Sequence, residues 1–256
     1  MKKNLIATGL LLACGLAAAD DNVLTLGAGI AATSRYSGSD KMQAAPVLAI
    51  DYQMANGFYA STMRGLGYGQ TFGRLQLNGA LAYRGERTDK EEVNFGGRQG
   101  SDKLKGMGVV KGSATAVLGA GLTIMDGLVL GLQTEVPLSH RENGSRSSLG
   151  LTYTLLNDQV DNVSVSGGAN FADKKYAQTY YGVTASQSAR SGFKEFAAKA
   201  GVFEATFSTS WQHRLNQQWS VTSMLGVSRL TRDAAKSPIV FRKTSPTAAV
   251  YASYAF

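Results

Sequence analysis

The chain closes on Thr247-Ala248-Ala249-Val250-Tyr251-Ala252-Ser253-Tyr254-Ala255-Phe256. Counted back from Phe256, every second residue (Tyr254, Ala252, Val250, Ala248) is apolar, so the stretch is a strand with one apolar face. A period of two that ends on an aromatic ring is expected of the last strand of a bacterial transmembrane barrel. There the outward face meets lipid and the terminal ring lies among the headgroups. A terminal strand in a soluble sheet shows the same alternation, so the rest of the chain decides.

The same two-faced pattern recurs along the sequence. Residues 74–84 place Leu75, Leu77, Leu81 and Tyr83 opposite Arg74, Gln76, Asn78 and Arg84. Residues 127–138 set Leu128, Leu130, Leu132, Val136 and Leu138 against Gly131, Gln133 and Glu135, and residues 147–156 alternate Leu149, Leu151, Tyr153 and Leu155 with Ser148, Gly150, Thr152 and Thr154. In residues 202–212, Phe203, Ala205, Phe207 and Trp211 oppose Glu204, Thr206, Ser208, Ser210 and Gln212. Residues 219–228 repeat the pattern, and weaker strands are read at 23–33, 45–54, 58–64 and 162–171. No segment of comparable length reads at the helical period.

Residues 114–132 contain only three polar side chains, Thr115, Thr123 and Asp126, and could pass for a transmembrane helix. Gly119, Gly121, Gly127 and Gly131 argue against it, because glycine weakens helices. Asp126-Gly127 instead suits a two-residue hairpin turn between two strands long enough to cross a bilayer at a tilt. Short connections at 55–57, 157–161 and 216–218 alternate with long ones at 85–105, 139–146, 172–195 and 231–245. Barrels of this type keep short turns in the periplasm and long loops outside. The expected fold is therefore all-β, a transmembrane antiparallel β-barrel. Eleven strands are read directly, and single-chain bacterial barrels have an even number. Twelve is expected, with ten as the alternative. The missing strand would lie between Tyr36 and Phe72 or near residues 180–184.

Met1 to Ala19 reads as a secretory signal peptide, with Lys2 and Lys3, an apolar core from Leu5 to Leu16, and Ala17-Ala18-Ala19 before the cut. A lipoprotein cut before Cys14 fits less well, since bulky Leu12 stands where a small residue is usual. Residues 20–256 are then a single barrel domain without a thiol, as suits an oxidising compartment. The chain carries 26 basic and 18 acidic residues, net +8. Without Lys2 and Lys3 the balance is 24 against 18, or +6. The basic residues are scattered, with no run or helical stripe, so nucleic acid is not an expected partner. Outer-membrane lipid and anionic lipopolysaccharide are. Thirty glycines, four prolines and a mean hydropathy of −0.10 suit strands with one polar and one apolar face.

No phosphate loop, HExxH helix, calcium loop or metal-spaced cluster occurs, so no cofactor, metal or catalytic residue is expected. Of the two histidines, His140 in Ser139-His140-Arg141-Glu142 is the one candidate base, for Ser139 or Ser145. Neighbours on an extended segment point to opposite faces, which sets Ser139 and His140 badly for a pair. His213 falls near a periplasmic end. Tyr176 to Tyr181 reads as part of an interfacial aromatic girdle, with a sugar or wall-polymer site as the alternative. The polar faces assign Asp51, Arg74, Gln76, Asn78, Arg84, Gln133, Glu135, Glu204 and Gln212 to the lumen. They carry both signs, so the interior either closes by ion pairs or leaves a narrow path.

Several local strings stand out in order along the chain: Tyr36-Ser37-Gly38-Ser39-Asp40 with Pro46, Gly65-Leu66-Gly67, Leu104-Lys105-Gly106-Met107-Gly108 and Tyr180-Tyr181-Gly182-Val183-Thr184 with Gln187, Ser191 and Gly192. Leu230, Asp233-Ala234-Ala235-Lys236-Ser237-Pro238-Ile239-Val240 and the terminal Tyr254-Ala255-Phe256 complete the set. Together they resemble the MltA-interacting protein family (MipA/OmpV) of Gram-negative outer-membrane proteins. Lys236 stands where an acid is expected, and Tyr181 where Phe is commoner. The resemblance implies an outer-membrane scaffold that tethers a lytic transglycosylase and a murein synthase. A narrow pore for small solutes or antibiotics is the alternative, and a receptor or adhesin acting through residues 172–195 is a third. Removing Phe256 is expected to reduce the heat-modifiable, folded form of the protein on electrophoresis; unchanged assembly would leave that residue no special part.

Overall fold

A computed structural model describes residues 22–94 and 97–256. The expected signal segment, with Cys14, lies outside the described residues. The strands are β1 (Val23–Ser34), β2 (Met42–Gln53), β3 (Phe58–Ser61), β4 (Gly65–Phe72), β5 (Leu75–Arg84), β6 (Glu92–Asn94), β7 (Gly97–Gln99), β8 (Ser113–Met125), β9 (Leu128–Pro137), β10 (Arg146–Asn157), β11 (Asp161–Ala172), β12 (Gly201–Arg214), β13 (Trp219–Leu230) and β14 (Thr244–Ala255). Twelve of them close a barrel in the order β1-β14-β13-β12-β11-β10-β9-β8-β5-β4-β3-β2, and β6 and β7 form a separate hairpin.

Antiparallel pairing of β1 with β14 closes the ring, Thr25 opposite Ala255 and Ala32 opposite Ala248. Just past β14, the Phe256 N–H donates to the Leu24 carbonyl at 2.9 Å. The terminal strand is thus the closing strand. Its outward row ends in an aromatic cluster, Trp219 on Tyr254 at 5.1 Å and Tyr254 on Phe256 at 4.7 Å between ring centroids. Around the wall the outward rows are exposed and apolar, among them Ile30, Leu48, Leu81, Leu118, Leu151, Phe207 and Leu225. So continuous an apolar belt is stable only against lipid.

The strand missing from the sequence reading is β4. Its outward residues Leu66, Tyr68 and Phe72 are exposed, while Gly65, Gly67 and Gly69 occupy the inward row, so it resembles a turn when read by composition. Position 67 requires glycine: a Cβ there would lie 2.5 Å from the Tyr59 ring and from the Gly79 carbonyl. Residues 180–184, the other candidate, form no barrel strand.

The turns 73–74, 126–127, 158–160 and 215–218 sit at one end with 54–57. Loops 35–41, 85–112, 138–145, 173–200 and 231–243 gather at the other. Gly127 supplies the positive φ (79°) that the expected Asp126-Gly127 turn needs. Arg74, expected in the lumen, lies instead in the β4–β5 turn and is exposed, because β5 begins one residue later.

One part of the wall is incomplete. β3 pairs with β2 only at Asp51, Tyr52 and Gln53, after which the chain turns back. Thr62 finishes that corner. Its N–H donates to the Ile50 carbonyl (2.9 Å), and its hydroxyl accepts from Ile50 N–H (3.1 Å) and donates to the Leu48 carbonyl (2.9 Å). Arg64 then pairs with Asp51 at 2.7 Å and lies 4.2 Å from the Tyr59 ring centroid. A side chain here replaces strand hydrogen bonds that lipid cannot supply. Thr62→Val is expected to destabilise the folded barrel by about 1–2 kcal/mol, the usual cost of stranding buried polar groups, with Thr62→Ser close to wild type, both read by urea unfolding in vesicles; equal losses for Val and Ser would contradict the hydroxyl's part.

Candidate functional site: the sealed long-loop end

Loop 173–200 builds two short helices, α1 (Lys174–Tyr181) and α2 (Ala185–Ser191). Local chemistry starts both. Asp173 caps α1 by accepting from Tyr176 N–H at 2.7 Å. Thr184 and Gln187 form a reciprocal capping box on α2, which ends on left-handed Gly192. Tyr176 to Tyr181 is therefore helical and belongs to no aromatic girdle. Its rings point into the barrel mouth, Tyr176 at 5.3 Å and Tyr181 at 5.7 Å from the Phe203 ring. Leu230 and Ala234 complete that core.

A second core adjoins it, made of Tyr36, Leu104, Met107, Val183 and Ile239. Leu104, Ile239 and Tyr181 are at most 1% exposed. Hydrogen bonds lock the same elements. Tyr181 Oη is 2.9 Å from Ser37 Oγ, Ser237 Oγ donates to the Tyr181 carbonyl (2.6 Å), and Gln187 Nε2 donates to the Met107 carbonyl (2.8 Å). The strings around Tyr36, Leu104, Tyr180 and Ser237, far apart in sequence, thus meet in one cap. Gly106 sits where a Cβ would lie 2.6 Å from the Arg190 carbonyl, with φ +88°.

Charged residues fasten the cap to the wall. Arg84 Nε binds Glu135 Oε1 at 3.0 Å and Arg146 Nε binds Glu135 Oε2 at 2.5 Å. Arg84 also donates to the Gly144 carbonyl (2.9 Å) and lies 5.1 Å from the Tyr176 ring centroid. Arg87, in loop 85–112, donates to the Tyr180 (2.8 Å) and Thr179 (3.2 Å) carbonyls. These are carbonyls of the last turn of α1, where the helix dipole favours a cation. Burial pushes the Arg87 guanidinium below its ordinary value, and nearby phenols oppose that shift. Burial likewise raises the Tyr36, Tyr176 and Tyr181 phenols.

The interior below is lined mainly by small polar residues. Of the lumen residues read from the sequence, Asp51, Gln76, Asn78, Arg84, Gln133, Glu135, Glu204 and Gln212 face inward. Arg84 and Glu135 are brought together, and Asn170 joins Ser148 (2.7 Å) to Glu204 (2.7 Å). Thr115 is 0% exposed, Thr222 2% and Tyr59 3%, so side chains cover these parts of the interior. Arg64, Arg87 and Arg146 were not legible as lumen or cap residues. Two of them lie outside the alternating strands, and the third begins one.

His140 adopts a left-handed conformation (φ 48°) and its Nδ1 is 3.2 Å from Glu142 Oε1. Ser139 turns away, its Oγ accepting from Ala114 N–H (2.9 Å), and Ser145 N–H donates to Asp173 (2.8 Å). His213 pairs with Asp161 at 2.8 Å, and the Trp211 indole donates to the same carboxylate at 2.8 Å. Neither histidine meets a serine in these bonds. Among the described residues no group of three His, Cys, Asp or Glu could hold a metal ion.

A closed twelve-strand antiparallel barrel with an apolar outer belt and its loops gathered at one end is a transmembrane barrel of the outer-membrane type. The chain belongs to the MipA family: the model for MltA-interacting protein MipA matches residues 26–256. Solved structures are similar at low identity. They include the KdgM porin (11% identity, TM-score 0.46, 91% of this chain and 99% of that one). The NanC porin is similar at 11% and TM-score 0.47, over 90% of this chain and 98% of that one. The COG4313 outer membrane channel from Pseudomonas putida F1 is similar at 11% and TM-score 0.48, over 98% and 100%. Comparison with curated protein sequences finds no match.

A tyrosine whose pKa is raised by burial stabilises the fold fully below its unfolded value, about 10, and that contribution is lost as pH rises toward the folded value. The cap should therefore hold through neutrality and loosen in strong alkali, with buried phenols ionising after the exposed ones in a spectrophotometric titration. A single step with every tyrosine titrating at the ordinary value would contradict this packing. Glu135→Ala, which leaves the buried Arg84 guanidinium without its carboxylate, should cost about 3 kcal/mol of unfolding free energy, while Glu142→Ala, on the exposed loop, should cost little.

Proposed function

We propose that this chain is an outer-membrane anchor whose periplasmic end holds a murein-cleaving lytic transglycosylase, and with it a murein synthase, rather than an enzyme or an axial pore. The observation that carries this reading is the sealed mouth. Two apolar cores, and Arg87 bound to the carbonyls of α1, close the long-loop end over the interior. A closed barrel keeps anchoring ability and loses conductance. The family's printed name, MltA-interacting protein, supports the choice of partner. The rule that short turns face the periplasm places residues 54–57, 126–127, 158–160 and 215–218 on the side where murein lies. Exposed Leu215 and Val160 and a cavity of about 40 Å³ beside Arg214 and Asn216-Gln217-Gln218 give that rim an uneven, mixed surface. The outward rows meet lipid, and the basic loops suit lipopolysaccharide.

The polar inward rows support the second reading, a narrow pore. Thr152 bonds Ser166 and Ser220 bonds Ser253 (both 2.9 Å) on the inner wall, chemistry that water would also satisfy.

From solubilised membranes, the tagged protein should retain a lytic transglycosylase above a control barrel. Replacing Asn216-Gln217-Gln218 by Gly-Ser-Gly should lower that retention without loss of folded protein. In planar bilayers the wild type should give no discrete conductance steps. No retention, together with discrete steps, would establish the pore in place of the anchor.

A further inference from the structure

The incomplete wall beside β2 points to a second route into the barrel. The Thr62 bonds show that the backbone groups of Ile50 face β3. At period two the groups of Leu48, Pro46 and Ala44 face the same way. β3 ends level with Asp51, so above that point the edge of β2 away from β1 has no ladder partner among the described residues. This is roughly 26 Å of strand between Met42 and Ile50, at about 3.3 Å per residue. Pro46 has no N–H, which removes one donor from that edge, a usual way to blunt an exposed strand. The β6–β7 hairpin lies beside β2 but forms a two-stranded sheet of its own. It is held at its base, by reciprocal 2.9 Å bonds between Arg87 and Val110 and by Glu91 bonding to Arg35 and Lys41.

The chemistry of the seam is graded. From Met42 to Ile50 no residue is charged, and Leu48 and Ile50 are exposed on the lipid side. On the lumen side Ala45, Val47 and Ala49 remain partly exposed, whereas Thr115 on β8 is fully covered. The seam therefore offers an apolar, partly exposed inner surface. Directly below, Arg64 and Asp51 form an ion pair at 2.7 Å over the Tyr59 ring.

We propose that the β2 edge between Ala44 and Ile50 is a lateral portal for a single-chain amphiphile of the membrane. Its hydrocarbon chain lies along Ala45, Val47 and Ala49, and its polar head reaches the Arg64–Asp51 pair. The portal is independent of the anchor function, because it leaves the long-loop end sealed.

A fluorescence experiment in lipid vesicles, with a dibromo fatty acid as the quenching probe, tests the portal. In a Trp211→Phe, Trp219→Phe background, Val47→Trp should lose most of its emission, while Ser208→Trp, on the inward row of the fully paired β12, should keep it. Equal, weak quenching at 47 and 208 would overturn the portal. Should the tryptophan variant fail to fold, a nitroxide at Ala49→Cys reads the same question: oxygen accessibility like that of a lipid-facing label supports the portal, and accessibility like that of a label at Ser208→Cys overturns it.

Discussion

Hydrocarbon offers no hydrogen-bonding partner, and that constraint governs the molecule. Each backbone N–H and C=O in the wall needs a protein partner, so the sheet has to close, and β14 against β1 closes it. Where the ladder falls short, along β2, three substitutes appear together. The Thr62 hydroxyl takes the place of a neighbouring strand, Pro46 removes a donor, and a hairpin from loop 85–112 covers the edge. The strand pattern, the closing terminus and the unusual corner all follow from the same requirement.

The long-loop end obeys different physics. It has its own apolar cores, as a small soluble domain would, formed by residues contributed from separate loops. Tyr181 is central to it: its ring packs on Phe203, its hydroxyl meets Ser37 and its carbonyl accepts from Ser237. Arg84, Arg87 and Arg146 join this cap to the wall. Their charge is balanced in part by Glu135 and in part by helix and loop carbonyls, which lets the buried Arg84 and Arg87 sit close to the half-exposed Arg146. Such an end suits a barrel that presents surfaces, with the Arg64 corner as the remaining polar step inside.

Period-two alternation made the wall legible, because one side of each strand meets lipid and the other a polar interior. It failed at β4, whose inward glycines at 65, 67 and 69 look like turn residues until the Tyr59 ring is seen lying across Gly67. It also misplaced Arg74, at the one-residue boundary between turn and strand. The cap was less legible, since its contacts join residues far apart in sequence. Even so, Asp173 and the Thr184–Gln187 pair are ordinary helix-start signals, and a search for them would have moved Tyr176 to Tyr181 from girdle to helix. The Thr62 corner carries no pattern in sequence, because its meaning depends on where β3 stops.

The long-loop end of the barrel is closed to water by the cap. Reaction of a cysteine at Thr115, fully covered on the inward row of β8, with a charged, membrane-impermeant thiol reagent measures this directly. In the folded barrel Thr115→Cys should stay unreacted from either side, while Ser37→Cys in the exposed loop and Asn216→Cys in the short turn label readily. Rapid labelling at position 115 would show a water-filled channel and contradict the sealed barrel.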